Sequence, residues 1–223
     1  MEQFAIITAG GTGSRMGTSI PKQFLSINGI PVLIHTINHF IPLVDTVIVT
    51  LPEQYVEYWK EIQIKYNFHV PHVLVHGGKT RFDSVKNALR LAPDRGFVAI
   101  HDAVRPLVTP ALIQSCFRQA QQYGTAVAAI PLKYSLRMVS GTKNQSVNRS
   151  DFYVIQTPQV FACEIVKRAY QQPYQSNFTD DASVVETLGE EIQLVEGEES
   201  NVKITTSMDL VLAEILMRQN KIY

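Results

Sequence analysis

The chain has 223 residues with 20 basic and 20 acidic side chains, so its formal net charge is zero. This balance excludes a surface-wide electrostatic attraction to nucleic acid or to an anionic membrane, and any anion site must be local. No apolar stretch approaches the ~20 residues of a membrane span, and Cys116 and Cys163 lack the spacing of a metal site. We therefore expect one cytoplasmic α/β domain over residues 1–223, with two reduced thiols.

Short apolar runs alternate with helix-compatible segments over the first 130 residues. The predicted strands are Phe4–Ile7, Thr46–Leu51, His72–Val75, Phe97–Ile100 and Ala126–Ile130. The predicted helices are Val32–Phe40, Gln54–Tyr66, Arg81–Leu91 and Pro110–Tyr123, the last with Thr109 as its cap. This alternation predicts a mainly parallel sheet covered by helices.

The regular pattern breaks after Ile130. Two strand-like pieces, Tyr134–Val139 and Ser146–Asn148, flank a polar turn and predict a β-arm over about residues 132–152. An isolated two-stranded arm is marginal in water, so we expect it to pack on a second subunit of a homodimer. The remaining predicted elements are helices at Ala162–Gln171, Asp180–Leu188 and Met208–Gln219 and a strand at Ile192–Val195.

A glycine-rich turn follows the first strand. Gly10, Gly11 and Gly13 allow backbone N–H groups to approach an anion, while Arg15 and Lys22 add a guanidinium and an ammonium group. Two different cations on one loop suit a polyphosphate. A turn built only for chain reversal is the alternative, which the two cations disfavour.

Two familiar nucleotide motifs do not fit. The third glycine of a dinucleotide fingerprint would fall on Met16, and a Walker A loop ending at Gly78-Lys79-Thr80 would need a glycine where Val73 stands. The spacing therefore indicates neither a P-loop NTPase nor an NAD-dependent enzyme.

A carboxylate and a further lysine could complete the site. Asp102 follows the strand Phe97–Ile100 and can give Mg²⁺ a hard oxygen ligand, although a turn cap or an ion pair with Arg105 is an equal alternative. Lys203 lies in a strand-like piece before the last helix, where most lysines are solvated. The glycine turn and Asp102 should meet at the carboxyl edge of the sheet.

Several other polar residues have capping explanations. Thr80 and Asp83 resemble a capping box, which leaves Gly78 and Ser84 to face a base or ribose. Thr179 is the expected cap of a helix in which Asp180 and Asp181 interact with the dipole, and metal binding by this pair is a minor alternative. Ser207 is the expected cap of the last helix, with Asp209 in its first turn.

Seven segments in chain order together resemble one family. They are Ala9-Gly-Gly-Thr-Gly-Ser-Arg15-Met-Gly, Pro21-Lys22-Gln-Phe-Leu, Gly77-Gly78…Arg81…Ser84-Val85, His101-Asp102-Ala-Val-Arg105-Pro, Gln156-Thr157-Pro-Gln-Val-Phe, Thr179-Asp-Asp-Ala-Ser and Asn201-Val-Lys203-Ile-Thr. This family is the 2-C-methyl-D-erythritol 4-phosphate cytidylyltransferases of the non-mevalonate isoprenoid pathway. The resemblance implies a Rossmann-like three-layer αβα nucleotidyltransferase fold and a homodimer with exchanged arms. It also implies Mg²⁺-dependent transfer of CMP from CTP to methylerythritol 4-phosphate, giving 4-diphosphocytidyl-2-C-methyl-D-erythritol and pyrophosphate.

The resemblance also implies residue roles. Arg15 and Lys22 would hold the triphosphate, Lys203 would reach the α-phosphate from the opposite side, and Asp102 would help to place Mg²⁺. The remaining nucleotide contacts would come from Ala9, Gly10, Gly11, Gly13, Gly78 and Ser84. The acceptor would meet Ser135 and Arg149 of the partner's arm together with Thr179, and Thr157 would orient Lys203 or substrate.

At three positions the sequence departs from the pattern of this family. Asn148 stands where the family often has aspartate, Tyr134 where many members have an acid, and Thr8 where a small apolar residue is common. These departures leave the phosphate-binding cations in place but weaken the acceptor assignments on the arm.

Three competing functions remain open from the sequence. They are a ribitol 5-phosphate cytidylyltransferase, a non-catalytic nucleotide-binding module and, least favoured, an NAD-dependent oxidoreductase.

Overall fold

The computed structural model describes residues 1–10 and 20–220. Its strands are β1 (Gln3–Thr8), β2 (Ser26–Ile27), β3 (Ile30–Pro31), β4 (Thr46–Leu51), β5 (Val73–His76), β6 (Phe97–Asp102), β7 (Thr125–Pro131), β8 (Arg137–Ser140), β9 (Lys143–Ser146), β10 (Tyr153–Ala162) and β11 (Leu194–Glu196). Its α-helices are α1 (Val32–Phe40), α2 (Val56–Lys65), α3 (Arg81–Leu89), α4 (Pro110–Tyr123), α5 (Cys163–Ala169), α6 (Asp181–Glu186) and α7 (Ser207–Asn220). Short 3₁₀ helices cover Lys22–Phe24, Glu53–Tyr55 and Arg149–Asp151.

One seven-stranded sheet forms the centre, in the order β11-β7-β10-β6-β1-β4-β5. All its pairings are parallel except those of β10, which runs antiparallel to both β6 and β7. The mainly parallel α/β sheet expected from the sequence is therefore confirmed. The extent of the domain, residues 1–223, stays a prediction.

Helices cover both faces of this sheet. Successive residues of a strand point to opposite faces, and β1 shows this directly. Ala5 and Ile7 pack in a core cluster with α1, α2 and α4, whereas Ile6 packs in a second cluster with α3, α5 and α6. This arrangement is the three-layer αβα architecture. A third cluster joins α7 to β2 and the start of α1.

The sequence did not predict β10. Its residues 153–162 include Pro158, which has no N–H to donate, and two glutamines that interrupt the apolar pattern. The pairing with β7 shifts register between Ile155 and Gln159, so the strand accommodates this interruption with an irregularity. Its β-structure depends on the two strands that flank it.

The two-stranded ribbon of the predicted arm is present with different strand bounds, and its first strand begins at Arg137 rather than Tyr134. β8 and β9 form a separate two-stranded sheet whose strand residues are all exposed. The second strand begins at Lys143 rather than Ser146, because the turn uses only Gly141 and Thr142 and Gly141 adopts a positive φ of 60°. Within the described part of the chain, no helix has the length and apolar character needed to cross a membrane.

Candidate functional site

A pocket opens at the carboxyl edge of the sheet, where β1 and β6 end side by side. Thr8 pairs with Asp102 at the last position of the two strands, and the Ala103 N–H donates to the Thr8 carbonyl at 3.0 Å. The described residues that line the pocket are Thr8, Ala9, Gly10, Lys22, Gln23, Gly78, Lys79, Thr80, Arg81, Ser84, Asp102, Val104 and Lys203. Gly10, the first residue of the glycine-rich turn, therefore meets Asp102 at this edge, as the sequence predicts.

Lys22 enters the pocket from a short 3₁₀ helix. The next residue, Gln23, is 2% exposed and donates its side-chain amide to the Ala9 carbonyl at 2.8 Å. Phe24 follows and packs edge-on against Tyr58. These two contacts tie the segment to β1 and to α2, and they hold Lys22 against the pocket that it lines.

The Gly78–Ser84 segment forms a second wall. The Gly78 N–H donates to Ser84 Oγ at 3.0 Å, and the Ser84 hydroxyl donates to the Thr80 carbonyl at 3.0 Å. Thr80 and Asp83 form the predicted capping box, so the structural role of Asp83 is confirmed. A Cβ added at Gly78 would lie 2.1 Å from Asp83 Cβ, which explains why the wall needs glycine there.

Among the described residues, three cations lie within 4 Å of the Asp102 carboxylate. Lys203 Nζ lies 2.9 Å from Oδ2, Arg105 Nε 3.6 Å from Oδ2, and Arg81 Nε 3.5 Å from Oδ1. Burial by itself would raise the pKa of Asp102, but the attraction of Arg81, Lys203 and Arg105 outweighs burial and holds that pKa well below its usual range. The group is therefore an ionised carboxylate. The sequence left open whether Asp102 lies in the site or pairs with Arg105, and in the structure it does both.

Arg81 is one of the pocket-lining residues for which the sequence predicted no role in the site. It donates two hydrogen bonds to Asp181, at 2.8 and 2.7 Å, and Asp181 also accepts the Tyr170 hydroxyl at 2.5 Å. Arg81 is part of a quoted motif, but nothing local indicates a partner 100 residues away.

Two capping predictions were wrong. Asp180, not Thr179, caps α6, because its carboxylate accepts the Ser183 N–H while Ser183 reaches back to the Asp180 backbone. Asp181 lies in the first turn of α6, as its helix-dipole interpretation expects, and it is fully buried against Arg81. At α7, Thr206 rather than Ser207 supplies the capping hydroxyl, accepting the Asp209 N–H at 3.3 Å.

The predicted site residues divide into three groups. Ala9, Gly10, Lys22, Gly78, Ser84, Asp102 and Lys203 line the pocket. Ser135, Arg149, Thr157 and Thr179 do not: the first two lie on the exposed arm, Thr157 lies behind Asp102, and Thr179 lines a neighbouring cavity that shares Thr80 and Arg81. The predictions for Gly11, Gly13 and Arg15 lie outside the described residues.

Comparisons with known proteins agree with this geometry. The family model described as IspD, 2-C-methyl-D-erythritol 4-phosphate cytidylyltransferase, matches residues 3–219. The chain belongs to this cytidylyltransferase family.

Relatives within the family match over nearly their whole length. The Porphyromonas gingivalis protein of that name is 46% identical over 217 residues, covering 97% of this chain and 98% of the relative. The Bacillus thuringiensis protein of that name is 37% identical over 221 residues, covering 97% and 98%. A crystal structure of the Thermus thermophilus protein superposes with a TM-score of 0.82 at 32% identity, covering 98% of this chain and all of that one. The family expected from the seven segments is confirmed.

Proposed function

We propose that the chain transfers CMP from CTP to 2-C-methyl-D-erythritol 4-phosphate, giving 4-diphosphocytidyl-2-C-methyl-D-erythritol and pyrophosphate. The observation that carries this proposal is the meeting of Lys22, Lys203 and Asp102 in one pocket of a chain that belongs to the cytidylyltransferase family over residues 3–219. An acceptor phosphate oxygen forms a bond to the α-phosphorus while the bond to the β-phosphate oxygen breaks. This displacement needs positioning and charge neutralisation, and it needs no protein nucleophile.

Cations on both sides of the α-phosphate are central to this mechanism. Lys22, together with Arg15, would neutralise the departing pyrophosphate, while Lys203 would stabilise the charge that develops on the α-phosphate oxygens. Lys203 Nζ is 2.9 Å from Asp102 and its side chain is 43% exposed, so its ammonium group is held at the pocket yet is accessible to a ligand. Backbone groups at Ala9, Gly10 and Gly78 would hold the nucleotide.

Mg²⁺ is the proposed cofactor, with Asp102 as its protein ligand. The described residues contain no cluster of three or more His, Cys, Asp or Glu side chains that could hold a metal. An ionised carboxylate at the pocket fits a cation that binds through one or two carboxylates and the substrate's phosphates. When bound, Mg²⁺ would neutralise phosphate charge.

We propose a homodimer in which each arm completes the partner's acceptor site. The arm and its base expose apolar side chains that an interface would cover, including Tyr134 at 79%, Val139 at 69% and Tyr153 at 49%. Arg149 donates to the Lys133 carbonyl at 2.7 Å and is not among the described residues that line the pocket of its own chain, which supports a role in the partner's site. Ser135 and Thr179 would add acceptor contacts.

Subunit complementation tests the exchanged arm. Arg149→Ala and Lys203→Ala would each be nearly inactive alone, but mixed dimers would contain one intact site. Mixing equal amounts after subunit exchange should restore about a quarter of the wild-type activity, because half the dimers carry one working site of two. Lack of restoration, despite exchange verified by tagged subunits, would place Arg149 in its own subunit's site and refute the exchange.

Pyrophosphate release tests the reaction itself. The assay compares methylerythritol 4-phosphate with ribitol 5-phosphate as acceptor, and CTP with ATP, GTP and UTP as donor, all with Mg²⁺. Turnover specific to CTP and methylerythritol 4-phosphate supports the proposal. Preference for ribitol 5-phosphate would overturn the acceptor assignment, and binding of CTP without turnover would indicate a nucleotide-binding module.

We also propose a cytoplasmic location. The substrate CTP is a cytoplasmic metabolite, and Cys116 and Cys163 are free and buried, as in proteins of a reducing compartment.

A further inference from the structure

A buried chain of hydrogen bonds lies directly behind Asp102, outside the pocket. The Asp102 N–H donates to Thr157 Oγ1 at 3.1 Å, Thr157 Oγ1 lies 3.0 Å from His101 Nδ1, and His101 Nε2 lies 3.1 Å from the Arg105 carbonyl. His101 is 0% exposed and Thr157 is 5% exposed. These hydrogen bonds thus join both ends of the turn from Asp102 to Arg105.

Chemistry allows only one direction for these bonds when the imidazole is neutral. The Arg105 carbonyl can only accept, so His101 Nε2 carries the hydrogen and Nδ1 is an acceptor. The Thr157 hydroxyl must then donate to Nδ1, and its lone pair accepts the Asp102 N–H. The ring is fully buried and both of its nitrogens lie within hydrogen-bond distance of a partner, which suits a neutral imidazole. Every donor and acceptor in this series has one assigned partner.

The same threonine also contacts the segment that carries Lys203. Asn201 donates its side-chain amide to the Thr157 carbonyl at 2.8 Å, and the Asn201 carbonyl accepts from Arg105 Nη1 at 2.7 Å. Asn201 is fully buried and lies two residues before Lys203. Thr157 therefore connects to both members of the Asp102–Lys203 pair, from β10 at the back of the site.

We propose that His101 and Thr157 are positioning residues for the nucleotidyl transfer, fixing Asp102 relative to Lys203 without touching substrate. This inference rests on the proposed function. Of the two roles expected for Thr157, orienting Lys203 or orienting substrate, it favours the first, because the Thr157 hydroxyl is occupied by the Asp102 N–H and His101 Nδ1. Groups behind metal or phosphate ligands typically change affinity or activity by ~10–100-fold when they are removed.

Three threonine variants test the role of the hydroxyl. Thr157→Val keeps the shape but removes both bonds, and we expect kcat to fall by ~10–100-fold and the Mg²⁺ activation constant to rise, with CTP affinity changed less. Thr157→Ser restores the hydroxyl and should recover most of kcat. Thr50→Val is the matched control, because Thr50 Oγ1 is buried without a hydrogen-bond partner within residues 1–10 and 20–220.

Two histidine variants test the direction of the bonds. In His101→Asn an amide oxygen can occupy the Nδ1 position and still accept from Thr157, whereas His101→Gln keeps only a donor near Nε2. We expect His101→Asn to retain more activity than His101→Gln. The double variant His101→Gln/Thr157→Val should have a kcat no lower than that of Thr157→Val, because the effects of residues that act through one another do not add.

Two measurements are independent of turnover. Ring ¹⁵N NMR should show a neutral His101 with its hydrogen on Nε2, and the Asp102 amide should exchange faster in Thr157→Val than in Thr50→Val or wild type. If wild type shows no CTP turnover, the proposed function fails while these two measurements still decide whether the hydrogen bonds behind Asp102 exist. The proposal is overturned if Thr157→Val keeps wild-type kcat, if the double variant loses the product of the two single effects, or if the hydrogen resides on Nδ1.

Discussion

Replacing Asp181 with asparagine should strongly destabilise the fold, because it breaks a buried ion pair at the back of the site. The carboxylate is fully buried and accepts two hydrogen bonds from Arg81 and one from the Tyr170 hydroxyl. The amide side chain of the Asp181→Asn variant has the same shape and would fit the space, but its NH₂ group would face a donor, since arginine has no acceptor. The guanidinium would keep its charge but lose the nearer of its two carboxylate partners, leaving Asp102 at 3.5 Å.

The magnitude follows from the loss of a fully buried carboxylate that pairs with a partly exposed guanidinium. Removing one member of a fully buried pair costs about 3–5 kcal/mol of unfolding free energy, and the 33% exposure of Arg81 together with its second partner Asp102 sets the expected cost near the lower limit, about 3 kcal/mol. For a chain of this size, each kcal/mol lowers Tm by roughly 2–4 °C, so Tm should fall by about 6–12 °C. Activity should fall as well, because Arg81 lies 3.5 Å from Asp102 and its position depends on Asp181.

Urea and thermal unfolding at neutral pH measure this cost. The matched control is Glu57→Gln, which also removes one carboxylate from a 2.7 Å ion pair, but one whose side chains are 80% and 55% exposed. The control should change the unfolding free energy by less than about 1 kcal/mol. An Asp181→Asn protein as stable as Glu57→Gln would show that burial of the Arg81 pair does not set its strength, and the reasoning would be refuted.

Three further outcomes are expected. Lys203→Ala should lower kcat by about 10²–10³-fold while changing CTP affinity far less, because its ammonium stabilises charge that develops only in the transition state. Burial lowers the pKa of His72 below its ordinary 6.5, and its Nε2 accepts a hydrogen bond from Trp59, the chain's single tryptophan. The stabilisation from neutral His72 is therefore complete above pH 6.5 and is lost as pH falls through the lower folded-state pKa; tryptophan fluorescence should report this transition. Gly78→Ala should weaken CTP binding in calorimetry, because its Cβ would meet Asp83 at 2.1 Å.

Each of these outcomes has a matched control. Lys60→Ala removes an exposed lysine from α2 and should leave turnover unchanged. His72→Gln should abolish the acid fluorescence transition, and its persistence would assign the transition to another group. Gly77→Ala places its Cβ no closer than 3.2 Å to a neighbouring atom, so it should cost less CTP affinity than Gly78→Ala. Equal losses of turnover and CTP affinity in Lys203→Ala would argue against a catalytic role.

Local sequence signals were sufficient for most of the sheet and helices. The predicted bounds of Val32–Phe40, Thr46–Leu51 and Pro110–Tyr123 match the structure at both ends. The last succeeds because Thr109 caps the helix, Pro110 begins it and Gly124 ends it with a positive φ, all within a few residues. Signals of this kind act between neighbours in the chain, and a single sequence displays them.

Local sequence signals could not predict the elements and the side-chain partners that depend on distant residues. The strand β10 contains Pro158 and gains its pairing from β6 and β7, so its own sequence does not display a strand pattern. The chain by itself determined which charges were available, including Lys22, Asp102 and Lys203. Only the tertiary structure paired Arg81 with Asp181 and placed Thr157 behind Asp102, because the register and packing of the whole sheet decide which distant side chains meet.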